Sequence, residues 1–202
     1  MWSENVTISG SRVVLRPLAR HDGPALVKAA ADGQLWKLKV TKIPDGDTVD
    51  DYIAHALAGR AAGTAMAFAT TTRDGSDVVV GSTRFWHMDP ANRSVEIGHT
   101  WIAERWQRSY VNTEAKYLML RFAFEDLGCI RVQFQTDVLN TRSQAAILRL
   151  GAQCEGIARR ERIMPDGRKR DTLRFSIIDD DWPEVRRNLE ARLGAHKVYE
   201  MM

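Results

Sequence analysis

Cysteine is scarce in this chain: Cys129 and Cys154 are the only two among 202 residues. Two thiols in a chain of that length exclude the disulfide framework on which small secreted domains depend. Long apolar runs are missing as well. None approaches the roughly 20 residues of a membrane-spanning helix, so no membrane span is expected. The opening Met1-Trp2-Ser3-Glu4-Asn5 has neither a basic n-region nor an apolar h-region, and the expectation is a cytoplasmic protein. Charge of one sign is not in large excess. Lys and Arg number 29 against 26 Asp and Glu, a formal net charge of +3. Basicity that small leans toward an anionic cofactor and does not call for direct nucleic-acid binding. Repeats, low-complexity tracts and linkers are absent, and no metal is expected.

What is present is the composition of an ordinary globular protein, 44% apolar and 27% charged, and 202 residues suit one domain, 1–202, with a sizeable core. Val13 to Leu15 starts a short strand ended by Pro17, and Asp22-Gly23-Pro24 opens a helix reaching about Ala31. Thr48 to Ala62 reads as a second helix. Thr48 is its expected N-cap, Asp50 and Asp51 suit the positive end of its dipole, and Tyr52, Ile53, Ala56 and Leu57 form one stripe. Ala65–Thr71 and Val78–Trp86 are strands about a turn at Arg73-Asp74-Gly75, and Asp89-Pro90-Ala91-Asn92 leads into another, Ser94–Ile102. Asn112 to Leu127 is the clearest helix, with Ala115, Leu118, Met119 and Phe122 at helical spacing and Gly128 as its stop. Ile130, Val132 and Phe134 alternate with polar residues as a strand, and Asn140 caps a shorter helix that ends at Gly151. Pro165-Asp166-Gly167 closes a hairpin with Leu173, Phe175 and Ile177 inward, and Asp181-Trp182-Pro183 starts a C-terminal helix. The predicted class is α/β (α+β): a mixed, largely antiparallel sheet flanked by helices.

The segment richest in chemistry is Trp106-Gln107-Arg108-Ser109-Tyr110-Val111-Asn112-Thr113-Glu114-Ala115-Lys116. It leaves the Ser94–Ile102 strand and enters a helix after a short turn. The first N–H groups of a helix lack intrahelical partners, and the macrodipole adds partial positive charge, so such a turn can cradle phosphate. Arg108 at its mouth can add a full charge. A ligand bearing a pyrophosphate is the first hypothesis.

These residues resemble the acetyl-CoA motif of the GNAT acetyltransferase superfamily, Q/R-x-x-G-x-G/A, with Gln107 to Asn112 in the motif positions. Tyr110 stands where the superfamily has glycine, and Asn112 where it has glycine or alanine. The wording W-Q-R-x-x-x-N-T-E-A-K is similar to the branch of ribosomal-protein N-terminal acetyltransferases, the Rim group. Three other segments carry the resemblance in order: Gly10 to Leu18, then Asp137 to Ser143 with Leu150-Gly151-Ala152, then Asp166-Gly167-Arg168 with Arg170-Asp171-Thr172. The resemblance implies a GNAT-like fold and acetyl-CoA as co-substrate. It implies cofactor contacts from Trp101, Ile102, Gln107, Arg108, Ser109, Tyr110, Val111, Asn112, Thr113 and Asn140. As acceptor it implies a protein or peptide N-terminal α-amine. A small amine such as an antibiotic, amino acid or polyamine is the alternative, and a non-catalytic acyl-CoA-binding module is a third reading. A homodimer is compatible with all three.

Moving an acetyl group from a thioester to an amine needs a base, because free amines near neutral pH are largely protonated, and a donor for the departing sulfur. Resemblance puts Glu96 of Ser94-Val95-Glu96-Ile97-Gly98-His99-Thr100 beside the acetyl group as that base, while on residue type alone it could equally be a paired charge on a sheet face. His99 falls on the opposite face by strand alternation, and His87 is expected to end a strand at the surface. Glu161 is another acidic residue at a position resembling the Rim-type hairpin, although Arg159-Arg160-Glu161-Arg162 also reads as a solvated charge run. Many superfamily members carry a tyrosine acid where this chain has Ile147, and Ser143 resembles the Rim-type serine instead. Ser143 is also an ordinary first-turn helix residue, as Asn140 is an ordinary N-cap. Cys154 is expected to be structural, since nothing nearby would activate it. The Gln34–Thr48 loop, with Trp36, Lys37, Lys39 and Lys42, is expected to shape the acceptor site.

Overall fold

The computed structural model describes residue 2 and residues 6–73 and 77–200, with side chains through residue 194. Eight strands form one sheet: β1 (Ile8–Ser9), β2 (Val13–Pro17), β3 (Met66–Thr72), β4 (Val79–Asp89), β5 (Ser94–Ile102), β6 (Arg131–Asp137), β7 (Gln153–Ile163) and β8 (Lys169–Ile178). Their order is β1-β2-β3-β4-β5-β6-β8-β7. Five helices cover it: α1 (Gly23–Ala31), α2 (Val49–Ala61), α3 (Tyr110–Arg121), α4 (Thr141–Arg149) and α5 (Trp182–Glu200). Every strand pair is antiparallel except β5 with β6. The turn expected at Arg73-Asp74-Gly75 lies in part outside the described residues.

Alternation along β3 shows how the two faces are made. Met66 and Phe68 point into the larger core, which α3, α4 and α5 cover with residues such as Val111, Leu118, Met119, Ile147 and Trp182. Ala67 and Ala69 point the other way, where α1 and α2 pack Leu26, Ala30, Ile53 and Ala56 down on the small side chains. Helix α3 buries Val111, Ala115, Leu118 and Met119, the i, i+4, i+7, i+8 stripe that pins it to the sheet. Full burial of each large apolar side chain contributes roughly 1.5–3 kcal/mol.

Three details of the helix ends differ from the sequence reading. Helix α3 begins at Tyr110, two residues before the expected Asn112, because the Ser109 hydroxyl accepts from the Val111 N–H and supplies the cap. Its last turn widens at Phe122–Asp126 into a π-helical segment closed by the Leu127 N–H on the Phe122 carbonyl, and Gly128, at φ 65°, stops it as expected. Thr48 occupies the cap position of α2 without capping it. Its hydroxyl donates to Asp45 Oδ1 and accepts from the Asp45 N–H, so the loop before the helix uses it.

Candidate active site

β5 and β6 pair only over Ser94–Glu96 against Arg131–Gln133. β5 then continues on β4 as far as Ile102 opposite Gly81, and β6 continues on β8 as far as Asp137 opposite Thr172. The sheet therefore opens into a wedge immediately after Glu96. The backbone edge of β5 beyond that point has no strand partner on the wedge side among the described residues, so its polar groups are available to a ligand.

The wedge leads to the turn before α3. Arg108 sits there at φ 61°, and the N–H groups of Arg108 and Ser109 make no hydrogen bond among the described residues. The Arg108 side chain is exposed and has no ion-pair partner among the described residues. Unpaired N–H groups, a positive-φ turn and the helix dipole together make an anion cradle. Gln107 holds it in place: Nε2 donates to the Ile102 carbonyl at 2.8 Å, and Oε1 accepts from Arg142 on α4. Tyr110 is fully used elsewhere. The Arg12 guanidinium lies 3.9 Å over its ring, and the ring meets Trp106 edge-on. Trp101, Ile102 and Val111 have buried side chains, with Trp101 Nε1 donating to the Tyr52 hydroxyl, so main chain is what they can offer a ligand. Asn112 and Thr113 stand half-buried on the first turn of α3. At the start of α4, Asn140 Oδ1 accepts the Ser143 N–H at 3.1 Å, which is the predicted cap. The Ser143 hydroxyl makes no hydrogen bond among the described residues, and Ile147 one turn later is buried.

Glu96 is 8% exposed and lies on the α2 face of β5, opposite Trp86. Burial raises its pKa, against a hydrogen bond and charge from His87 and charge from Arg162 that pull it down. Two bulges bracket it. On β5 the register slips between the Ser82–Trp101 and Arg84–Gly98 pairs, with His99 at φ 51°. The extra residue reverses side-chain parity. His99 is thus not on the far face, as alternation predicted, but on the Glu96 side, 5.0 Å from the Trp86 ring. Its side chain is exposed at the surface, with protein crowded along one side, as on the wall of a cleft. That crowding, then the charge of Arg84, holds its pKa well down, so it is neutral at physiological pH. On β4 the second slip falls between Trp86 and Asp89, with His87 at φ 46°. His87 was expected to end the strand at the surface. It is at the surface as expected, 61% exposed, but β4 runs on past it to Asp89, and its Nδ1 lies 3.0 Å from Glu96 Oε2.

Glu161 comes close enough to act on Glu96 by charge, but Arg174 pairs with it at 2.6 Å and its pKa is lowered. A carboxylate kept ionised that firmly is a poor proton acceptor. Glu96 and Ser143 share no hydrogen bond among the described residues. Arg84 was missed by the sequence reading altogether. It is wholly buried on the Glu96 face, over the Tyr52 ring at 5.0 Å, with Nε and Nη1 unpaired. Nothing marks it among the 29 basic residues without the strand register. Cys154 is exposed on the edge strand β7, and Cys129 is buried with its thiol pushed up to about 12, so both are free and neither is activated. No group of three metal-ligating side chains occurs among the described residues.

The model of the acetyltransferase (GNAT) domain family matches residues 12–153. The chain belongs to that family. A protein of Bacillus subtilis named as a ribosomal N-acetyltransferase, YdaF, is 32% identical over 109 residues, which is 54% of this chain and 57% of that protein. An acetyltransferase structure from T. thermophilus is 33% identical, covers 96% of this chain and 100% of its own, and superposes with a TM-score of 0.82. RimJ of Mycobacterium smegmatis, solved with CoA-disulfide, has the same fold at a TM-score of 0.79 and 22% identity, covering 94% of this chain and 96% of its own. As a GNAT acetyltransferase, the chain has its sheet, wedge and cradle in the fold of that family. No described helix is long and apolar enough to cross a membrane.

Proposed function

We propose that this GNAT acetyltransferase is a single cytoplasmic domain that moves an acetyl group from acetyl-CoA to the N-terminal α-amine of a protein or peptide. The observation that carries the reaction is the placing of Glu96. A buried carboxylate with a raised pKa stands where β5 and β6 part, and the anion cradle closes the same wedge. A named relative supports the acceptor: the Bacillus subtilis protein is called a ribosomal N-acetyltransferase.

The cradle suits the pyrophosphate of CoA. Two unpaired N–H groups, the dipole of α3 and the exposed Arg108 meet at one turn, and the open edge of β5 can take the amides of an extended arm. Bound there, acetyl-CoA supplies the activated acyl group. Glu96 accepts a proton from the incoming ammonium, and its raised pKa makes it a stronger base than a surface glutamate. Main-chain N–H groups of the β5 edge are placed to stabilise charge on the acyl oxygen. Ser143, whose hydroxyl has no competing partner among the described residues, gives a proton to the departing sulfur. His99 remains neutral and walls the cleft.

Thiol release with acetyl-CoA, measured against N-terminal peptides and small amines, tests the reading. Turnover on peptides supports it, turnover confined to small amines replaces the acceptor, and no turnover on either removes the enzymatic claim.

A further inference from the structure

His87 and Glu96 sit on adjacent antiparallel strands, and a regular ladder would put them on opposite faces, since it is Trp86 that stands across from Glu96. The slip after Trp86 and the left-handed backbone at His87 bring the imidazole round to the Glu96 side. Histidine tolerates that conformation better than most residues, but it is still unfavourable. Little burial offsets it, because the His87 side chain is 61% exposed. The partners the ring has there are Trp86, at 5.0 Å, and Glu96 Oε2, at 3.0 Å from Nδ1.

The other carboxylate oxygen is oriented differently. Oε1 lies 3.2 Å from the point where a Cβ on residue 98 would stand, so any side chain there would crowd this oxygen, and glycine leaves it room. Among the described residues Oε1 accepts no hydrogen bond, and it is not one of the buried unpaired atoms, so solvent reaches it. One oxygen is tied and the other is free, at the edge of the wedge.

We propose that His87 is the positioning residue of the base: its Nδ1–H holds Glu96 Oε2 so that Oε1 alone is presented over Gly98 to the acceptor amine. The inference rests on Glu96 being the base. His87 does not touch the acceptor; it acts by fixing a carboxylate that would otherwise sample several rotamers. The donor is present in the neutral Nδ1–H tautomer and in the imidazolium. The other charged or titratable groups around the pair are Arg84 from β4, Arg162 and Glu161 from β7, His99 from β5 and His55 from α2.

Asparagine separates the explanations, because its Nδ2 takes the place of Nδ1, it carries no charge at any pH, and it accepts positive φ. His87→Ala is expected to lower kcat/KM by about tenfold or more with CoA affinity and melting temperature near wild type. His87→Asn is expected to recover most of that loss. An alanine variant as active as wild type across pH overturns the proposal. So does an asparagine variant as impaired as alanine, which would mean that a donor at this position is not what matters. Glu96→Gln is run alongside: if it keeps full turnover, the base assignment itself has failed, and that result differs from a dead Glu96→Gln beside an unaffected His87→Ala.

Discussion

Lys116 lies on the sheet-facing side of α3, 5% exposed, with its ammonium hydrogen-bonded to the hydroxyls of Thr83 and Thr100. No carboxylate among the described residues offsets the charge, and burial pushes its pKa down from 10.5 to about 7. That distance, at about 1.4 kcal/mol per pH unit, amounts to about 5 kcal/mol against the folded state wherever both forms would be charged. The direction follows from proton counts. Between pH 7 and 10.5 the unfolded chain binds the proton that the folded chain has lost, so stability rises with pH across that window. From about pH 7 to about pH 9 the gain is about 2 kcal/mol, or about 4–8 °C in melting temperature for a chain of this size. Lys116→Met keeps the side-chain length and removes the charge, and Thr83 and Thr100 still bond each other at 2.7 Å. The variant should be more stable than wild type by roughly 3–5 kcal/mol at pH 7, less any packing misfit of up to about 1.5 kcal/mol. Thermal and urea unfolding of both proteins at pH 7, 8 and 9 measures the difference. The gap must narrow as pH rises. A gap that is constant with pH would refute the reasoning, because it would mean that Lys116 keeps its proton in the folded state.

Glu96→Gln should lower turnover by about a hundredfold or more while CoA binding is unchanged, and the wild-type acid limb should fall above the usual carboxylate range, as its raised pKa requires. Acetyl-CoA should raise the melting temperature, by the equivalent of about 2.7 kcal/mol at a hundred times its dissociation constant. Desulfo-CoA should do the same, because the phosphates make the contact; no shift from either ligand would remove the cradle reading. Arg108→Ala should weaken that shift and leave the ligand-free melting temperature nearly unchanged, since the side chain is exposed and unpaired among the described residues. Ser143→Ala keeps the Asn140 cap, which uses only the Ser143 N–H, and should reduce turnover with at most about 1 kcal/mol lost in stability. Lost stability with full turnover would make Ser143 a helix-start residue and nothing more.

Periodicity made most of the fold legible. The α3 stripe, the β3–β4 hairpin and the Asn140 cap follow from side chains within a few residues of one another, and each is where the sequence reading put it. The start of α3 lies at Tyr110 and not Asn112 because the Ser109 hydroxyl accepts the Val111 N–H, a cap that apolar periodicity does not reveal. His99 was misread for a different reason. Placing it by alternation assumes an unbroken ladder, and a single inserted residue inverts the assignment beyond it. Residue type carries no sign of such an insertion. Lys116 was invisible on other grounds: it reads as an ordinary helical lysine until the ladder brings Thr83 and Thr100 beneath it.

The irregular features of the sheet are concentrated where the proposed chemistry occurs. Over the Glu96–Thr100 stretch, β5 loses one neighbour, gains a bulge, buries a carboxylate and exposes unpaired main chain. Each of these costs free energy in isolation, and together they would unravel an edge strand. They persist because β5 is central, held by β4 along nearly its whole length and backed by the α3 core on its other face. Strain of this kind survives only where the surroundings over-determine the structure. The same surroundings explain why His87 can remain exposed. Its task is to hold one oxygen of a carboxylate whose backbone is already fixed, so one hydrogen bond at the surface suffices to orient a group in the interior. A base on a loop would need many more contacts to reach the same definition.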